Sequence, residues 1–389
     1  MSDLTPLRRE AVAAPESGIV AVINYARGRE GLIPMWAGEG DLATPDFICA
    51  AASASLRAGE TFYTWQRGLP ELRQALADYT ARLYGRPSSP DRFFVTGSGM
   101  QAIQITLAAL AGAGDEVVFF GPAWPNFAAA TELQGAVARE VALDWTEAGW
   151  QLDLKKFKDA IGPKTRAVFV NTPANPTGWT ADEATLRAIL EIARDAGIFI
   201  IADEIYSRFY YSGRRAPSFH DVMEEDDRIF FVNSFSKNWA MTGWRIGWIE
   251  TNAALGDIIE NLIQYSTSGV AAFMQRGALA ALEQGEAFVE SQIARAGEAR
   301  EIFTSRLLAT NRVSMTPPDG AFYAFFAIDG IADTRAAAFR IVDEAGVVLA
   351  PGTAFGQSGH RFLRACFHRR LDEVETAADR LVDWIGRAA

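Results

Sequence analysis

The chain has 389 residues, 49% of them apolar, which suits two domains with sizeable cores. Its net charge of −11 argues against nucleic acid as a partner. No run reaches the roughly 18 apolar residues needed to span a bilayer, and two cysteines, Cys49 and Cys366, suggest a reducing compartment without a disulfide framework.

In chain order, the N-terminal stretch MSDLTPLRREAVAAPESG (1–18) is polar and lacks an apolar signal core, so a cytoplasmic protein is expected. One local pattern then repeats: a short apolar run, a polar cluster, a helical pattern. FFV (93–95) leads into TGSGM (96–100) and the helical QAIQITLAAL. EVVFF (116–120) leads into GPAWPN, AVFV (167–170) into NTPANPTG, and IFIIA (198–202) into DEIY. RIFFV (228–232) leads into SFSKNWAMTGWRIGW (234–248). This alternation predicts an α/β fold with a mainly parallel, doubly wound sheet. The strands' carboxyl ends should gather the functional residues at one edge. Beyond them, QGEAFVESQIARAGEAREIF (284–303) predicts a long helix leading out of the first domain. The cluster His368–Arg369–Arg370 reads as a solvated or helix-start feature. Histidines 220, 360 and 368 are too scattered to argue a metal site.

The segment after RIFFV carries the most chemistry. Lys237 lies just past a strand's carboxyl end, where open α/β sheets place their ligands. A lysine there can form a Schiff base, and Ser234, Ser236 and Arg245 could bind a phosphate. The competing view is a surface loop with one of many lysines. Asp203, after IFIIA, could pair with a ring nitrogen, or serve as a helix N-cap. Tyr206, on the same side of an expected helical turn, and Asn175 of NPTG could donate to a ring oxygen. NPTG is also a strong turn former. Ser98, Gly99 and Met100 open a helix whose free N–H groups would favour an anion. Trp124 could stack on a ring, or be a core tryptophan. Together these groups match the needs of pyridoxal phosphate: an amine, a carboxylate, ring-oxygen donors and a phosphate cradle.

Further segments add to this set: GEGDLATP (38–45), YTWQRGLPELR (63–73), PDGAFY (318–323), PGTAFG (351–356) and FLRACF (362–367). With ADEIY, NPTG and SFSK…GWRIG in this order, the chain resembles the class I/II pyridoxal phosphate-dependent aminotransferases of fold type I, in their bacterial aspartate/aromatic subgroup. The resemblance implies a large cofactor domain over residues 46–284 and a smaller α+β domain from 1–45 and 285–389. It makes Lys237 the Schiff-base lysine, Asp203 the ring-nitrogen partner, and Asn175 and Tyr206 the ring-oxygen donors. Ser234, Ser236, Arg245 and the backbone of Ser98–Met100 become the phosphate site, with Tyr63 reaching it from a partner subunit in a homodimer. Trp124 becomes the stacking residue. Arg364 becomes the grip on the substrate α-carboxylate, assisted by Asn175 and the backbone at Gly38. The implied reaction is ping-pong transfer of an amino group from an L-amino acid to a 2-oxo acid, with 2-oxoglutarate the usual acceptor. Lys237 would act as acid–base, its pKa lowered by a cationic site.

Substrate choice rests on fewer residues. Related enzymes acting on acidic substrates often carry a lysine at the position of Met100, so neutral or aromatic side chains are favoured here. Arg67, or a basic residue of the N-terminal arm, could replace that lysine. Trp65 could line the partner's pocket, and Ser17–Ile19 should lie near the entrance. Two other classes remain open: a carbon–sulfur β-lyase sharing Lys237, Asp203 and Arg364, and a non-catalytic binding or regulatory protein.

Overall fold

The computed structural model describes residues 7–387; the first six residues of the polar N-terminal stretch lie outside that range. Seven strands form the central sheet: β1 (Phe93–Thr96), β2 (Glu116–Gly121), β3 (Val137–Ala142), β4 (Thr165–Asn171), β5 (Phe199–Asp203), β6 (Ile229–Ser234) and β7 (Gly247–Glu250). Their order is β1–β7–β6–β5–β4–β2–β3. All neighbours run parallel except β7, which is antiparallel to both β1 and β6.

The apolar runs are continuous because the sheet is covered on both faces. On β4, Val168 and Val170 face a core with Leu186, Ile189 and Leu190. Ala167 and Phe169 face the opposite core with Ile103, Phe127 and Ile263. Each fully buried Phe, Val or Ile of these layers contributes roughly 1.5–3 kcal/mol over its exposed state. The covering helices have local start and stop signals. Helix α1 (Gly18–Ala26) begins at the Ser17 cap, and α2 (Gly99–Leu110) at the Ser98 cap, whose hydroxyl accepts from Gln101 N at 3.0 Å. Helix α3 (Pro125–Leu133) has proline in its first turn, where no donor is lost. Helix α4 (Glu183–Ala196) runs from the Asp182 cap to Gly197 at φ +67°.

Beyond the central sheet, α5 (Glu286–Leu308) confirms the expected long helix. It packs with α6 (Thr334–Ala345) and α7 (Leu371–Arg387) over an antiparallel sheet ordered β8–β9–β11–β10. These strands are β8 (Val313–Ser314), β9 (Tyr323–Ile328), β10 (Ala350–Pro351) and β11 (Leu363–Cys366). Tyr206 and Phe209, which follow β5 of the central sheet, enter the same core as Val22, Phe322 and Trp384. The His368–Arg370 cluster does precede a helix, but His368 itself is buried rather than solvated, its ring against Phe209 and Phe322. No described helix is long and apolar enough to cross a membrane.

Candidate active site

A cavity of about 620 Å³ opens at the carboxyl edge of the central sheet. Apart from β3, each strand that runs in the common direction delivers a residue to its wall as it ends. β1 is followed by Gly99 and Met100, β2 by Trp124, β4 by Asn175, β5 by Tyr206, and β6 by Ser236 and Lys237. Asp203 and Ser234 are the last residues of β5 and β6. Because β7 runs the other way, its amino end lies at this edge, which brings Arg245 to the same cavity. From the second sheet, Tyr323 of β9 and Arg364 of β11 close the wall opposite.

The anion cradle is a close contact between three segments. A Cβ on Gly247 would sit 2.6 Å from Asn233 O and 2.8 Å from Gly99 N, so only glycine lets β7 approach the start of α2. Ser98 holds φ +152°, a conformation L residues rarely adopt and one that clusters at binding sites. The Ser234 and Ser236 hydroxyls are 2.8 Å apart, and Ser236 N donates to Ser234 Oγ at 3.1 Å. Arg245, at φ +53°, reaches back to donate to Thr242 O at 2.6 Å.

Two adjacent carboxylates end β5, and the structure separates them. Glu204 is occupied by the Ser218 hydroxyl at 2.7 Å, Phe219 N at 3.2 Å and the Tyr84 hydroxyl at 3.2 Å. Asp203 instead lines the cavity, and among the described residues its carboxylate accepts only from Ile205 N, at 3.2 Å. Burial raises its carboxyl to about 7, while Ile205 N and Lys237 pull it down. No helix follows β5, so the N-cap alternative for Asp203 and the helical turn expected through Tyr206 are both corrected: residues 205–208 form a turn. Buried Glu204 anchors that turn, and Arg208 ties it to α5 through a two-pronged pair with Glu286, at 2.7 and 3.0 Å. Asp203 and Tyr206 still face one cavity.

Lys237 Nζ donates to Gly38 O at 2.5 Å. Its amine is lowered to about 8, chiefly by burial; Arg364 and Arg245 add smaller downward effects, against Cys366 and Glu39. Desolvation, not the cationic neighbours expected from the sequence, therefore sets its basicity. Arg364 is 2% exposed, donates to Asn175 Oδ1 at 3.0 Å and to Trp36 O, and lies over the rings of Tyr323 and Phe355 at 4.6 and 4.9 Å. Its Nε has no partner among the described residues. Trp124 is half-buried, on the cavity wall and packed against the core that holds Ile103 and Phe127.

Two residues lie outside this chain's cavity. Tyr63, expected to serve the site of a second copy, is 92% exposed. Arg67 is committed to Glu260 at 2.5 Å and Asp257 at 2.7 Å, and does not line this chain's cavity. Ser17 and Ile19 do border the cavity, joined by Val20 and Ile23 of α1 and by Trp36 and Glu39. These last four, and Tyr323, were not singled out from the sequence. The apolar spacing at 19, 20 and 23 and the aromatic end of PDGAFY were the available signals. Among the described residues, no group of His, Cys, Asp or Glu could hold a metal.

Comparison with known proteins gives this arrangement its context. Residues 33–381 match the family described as aminotransferase class I and II. A probable aspartate aminotransferase of Methanocaldococcus jannaschii is 32% identical over 367 residues, covering 93% of this chain and 95% of that one. An aromatic-amino-acid aminotransferase of Thermococcus litoralis is 31% identical over 371 residues, 94% of each chain. The crystal structure of an aspartate aminotransferase from Thermotoga maritima superposes with a TM-score of 0.92 at 31% identity, over 98% of this chain and all of that one. A lysine, a carboxylate and two arginines converging on one sheet edge thus sit within full-length likeness of sequence and fold, and the chain belongs to the class I and II aminotransferases, pyridoxal phosphate-dependent enzymes of fold type I that move an amino group between an amino acid and a 2-oxo acid.

Proposed function

We propose that the cavity binds pyridoxal phosphate on Lys237 and takes L-amino acids with neutral or aromatic side chains. The residues present fit the cofactor. Lys237 supplies the amine, Asp203 a buried carboxyl facing the cavity, and Gly99, Met100, Ser234, Ser236 and Arg245, with Ser98 capping α2 beside them, a cradle suited to phosphate. Trp124 offers a ring face, and Asn175 and Tyr206 supply donors for the ring oxygen. When bound, the cofactor supplies an electron-withdrawing ring that takes up charge from the substrate Cα. The chain's residues do the rest. Arg364 grips the α-carboxylate and, with Asn175 and the backbone at Gly38, fixes which Cα bond faces Lys237. Asp203, pulled to its ionised form by a protonated ring nitrogen, holds that charge in place. Lys237 removes the Cα proton and redelivers it.

The observation that carries the substrate reading is the cavity wall. Ile19, Val20, Ile23, Trp36, Met100 and Ile103 are apolar, and Lys237, Arg245 and Arg364 are the only cations among the described lining residues. All three have assigned tasks, so none is left for a distal carboxylate, and Glu39 adds negative charge to the wall. The same wall meets the acceptor. 2-Oxoglutarate is what the resemblance implies, whereas the cavity favours a 2-oxo acid with an uncharged side chain, such as phenylpyruvate. Steady-state rates across donor and acceptor pairs test this: higher kcat/KM for phenylalanine than for aspartate is expected, and the reverse order would contradict it. Met100→Lys is expected to shift the phenylalanine-to-aspartate ratio by about tenfold or more toward aspartate, the value of one charge-assisted hydrogen bond. An unchanged ratio would show that residue 100 does not meet the substrate side chain.

Two assembly features follow the same reading. Phe62, Tyr63 and Trp65 form an exposed aromatic strip. It supports a homodimer in which Tyr63 reaches the phosphate of the second copy; a single-chain mass in solution would contradict it. The divide between 46–284 and 1–45 with 285–389 is supported by a core drawn mainly from residues 22–35 and 296–385, which Tyr206 and Phe209 also enter.

A further inference from the structure

Tyr323 opens β9 and is fully buried. Its hydroxyl lies 2.7 Å from the Tyr206 hydroxyl, although the two residues are 117 positions apart in the chain. Its ring lies beneath the Arg364 guanidinium, 4.6 Å from the ring centre. A Cβ on Gly38 would come within 3.0 Å of the Tyr323 hydroxyl oxygen, and the Gly38 carbonyl in turn accepts Lys237 Nζ. One side chain thus touches Tyr206, Arg364 and the glycine that holds Lys237.

We propose that Tyr323 is a positioning residue, whose hydroxyl donates to the Tyr206 oxygen and so frees the Tyr206 proton for the cofactor's ring oxygen, while its ring seats Arg364. The argument is one of proton count. A phenol has one proton and two acceptor lone pairs, and two hydroxyls in contact share a single proton along their line. If Tyr206 donated to Tyr323, it would have nothing left to give the ring oxygen. With Tyr323 as donor, Tyr206 accepts and still donates, and the chained bond strengthens its donation. Burial raises both hydroxyls, so each keeps its proton and can donate. The ring has its own task, since cation–π seating restricts Arg364 without using any N–H needed for a carboxylate.

This inference rests on Tyr206 being the ring-oxygen donor, and the test separates the two. The readout is the pH titration of the bound cofactor's visible absorption in the holoenzyme. Tyr323→Phe is expected to move the midpoint upward by about 0.5–1 unit, because a weaker Tyr206 donor stabilises negative charge on the ring oxygen less. The KM for the amino acid should stay within about twofold, since Phe keeps a ring beneath Arg364. In a Tyr206→Phe background the same substitution should leave the midpoint where it was, because the hydroxyl acts only through Tyr206. Tyr323→Leu, which loses the ring as well, should raise KM by about 2- to 10-fold. An unmoved or lowered midpoint in Tyr323→Phe, or an equal upward shift in both backgrounds, overturns the donor role. An unchanged KM in Tyr323→Leu overturns the seating role. If Tyr206→Phe alone leaves the midpoint unchanged, the assignment of Tyr206 falls, and the donor role with it.

Discussion

Lys237→Ala is expected to lower kcat by about 10⁴-fold or more, the upper range for a positioned acid–base group. That is about 5.5 kcal/mol of transition-state stabilisation. The expectation follows from position and burial together. Lys237 lies three residues past β6, inside the cavity, with its ammonium on Gly38 O at 2.5 Å. Burial lowers the amine to about 8, so a useful fraction is neutral near physiological pH. The sign of the pH dependence follows from that shift. The base form is the deprotonated one, so the Cα deprotonation rate should rise about tenfold per pH unit below the folded-state value and level off above about 8. Single-turnover rates between pH 6 and 10 would check the limb, on the scale of about one ionisation. Turnover by Lys237→Ala comparable to the parent enzyme would remove the lysine from the mechanism.

Asp203→Asn is expected to lower the Cα deprotonation rate by about 10²- to 10⁴-fold while cofactor remains bound. Removing one partner of a buried ion pair costs about 3–5 kcal/mol, which sets this range. The side chain keeps its shape, so the loss reports charge alone. Glu204, beside it, is consumed by Ser218, Phe219 N and Tyr84 and cannot take its place. Stopped-flow measurement of the first half-reaction would check the effect. An unchanged rate would mean that another group keeps the ring nitrogen protonated.

Much of this arrangement was legible in the sequence because it is local. Strand runs such as AVFV and IFIIA mark β4 and β5 to within a residue or two, since a sheet buried on both faces demands unbroken apolar stretches. The polar clusters that follow them fall at one edge for the topological reason anticipated, and Lys237, Asp203, Asn175, Tyr206 and Arg364 all line one cavity. What the sequence hid is non-local. The helical turn expected after Asp203 does not form, because Glu204 is drawn to Ser218 and Arg208 to Glu286. Arg67 looked available until its partners, Asp257 and Glu260, were brought beside it from about half the chain away. His368 looked solvated in a basic cluster, yet its Nε2 meets Gln292 of α5 at 3.2 Å in the core. Tyr323 gave no sign of its contact with Tyr206, because no local pattern encodes a contact between residues 117 positions apart.

The central claim, amino-group transfer in two separable halves on Lys237, is tested most directly by the visible absorption of the purified holoenzyme. Single amino acids are added in turn with no 2-oxo acid present. The account predicts that phenylalanine and other neutral donors bleach the visible band faster than aspartate does, and that a 2-oxo acid then restores it. A band that persists through every amino acid would contradict the account. So would 2-oxo acid released continuously with no loss of the band, the behaviour of a β-lyase.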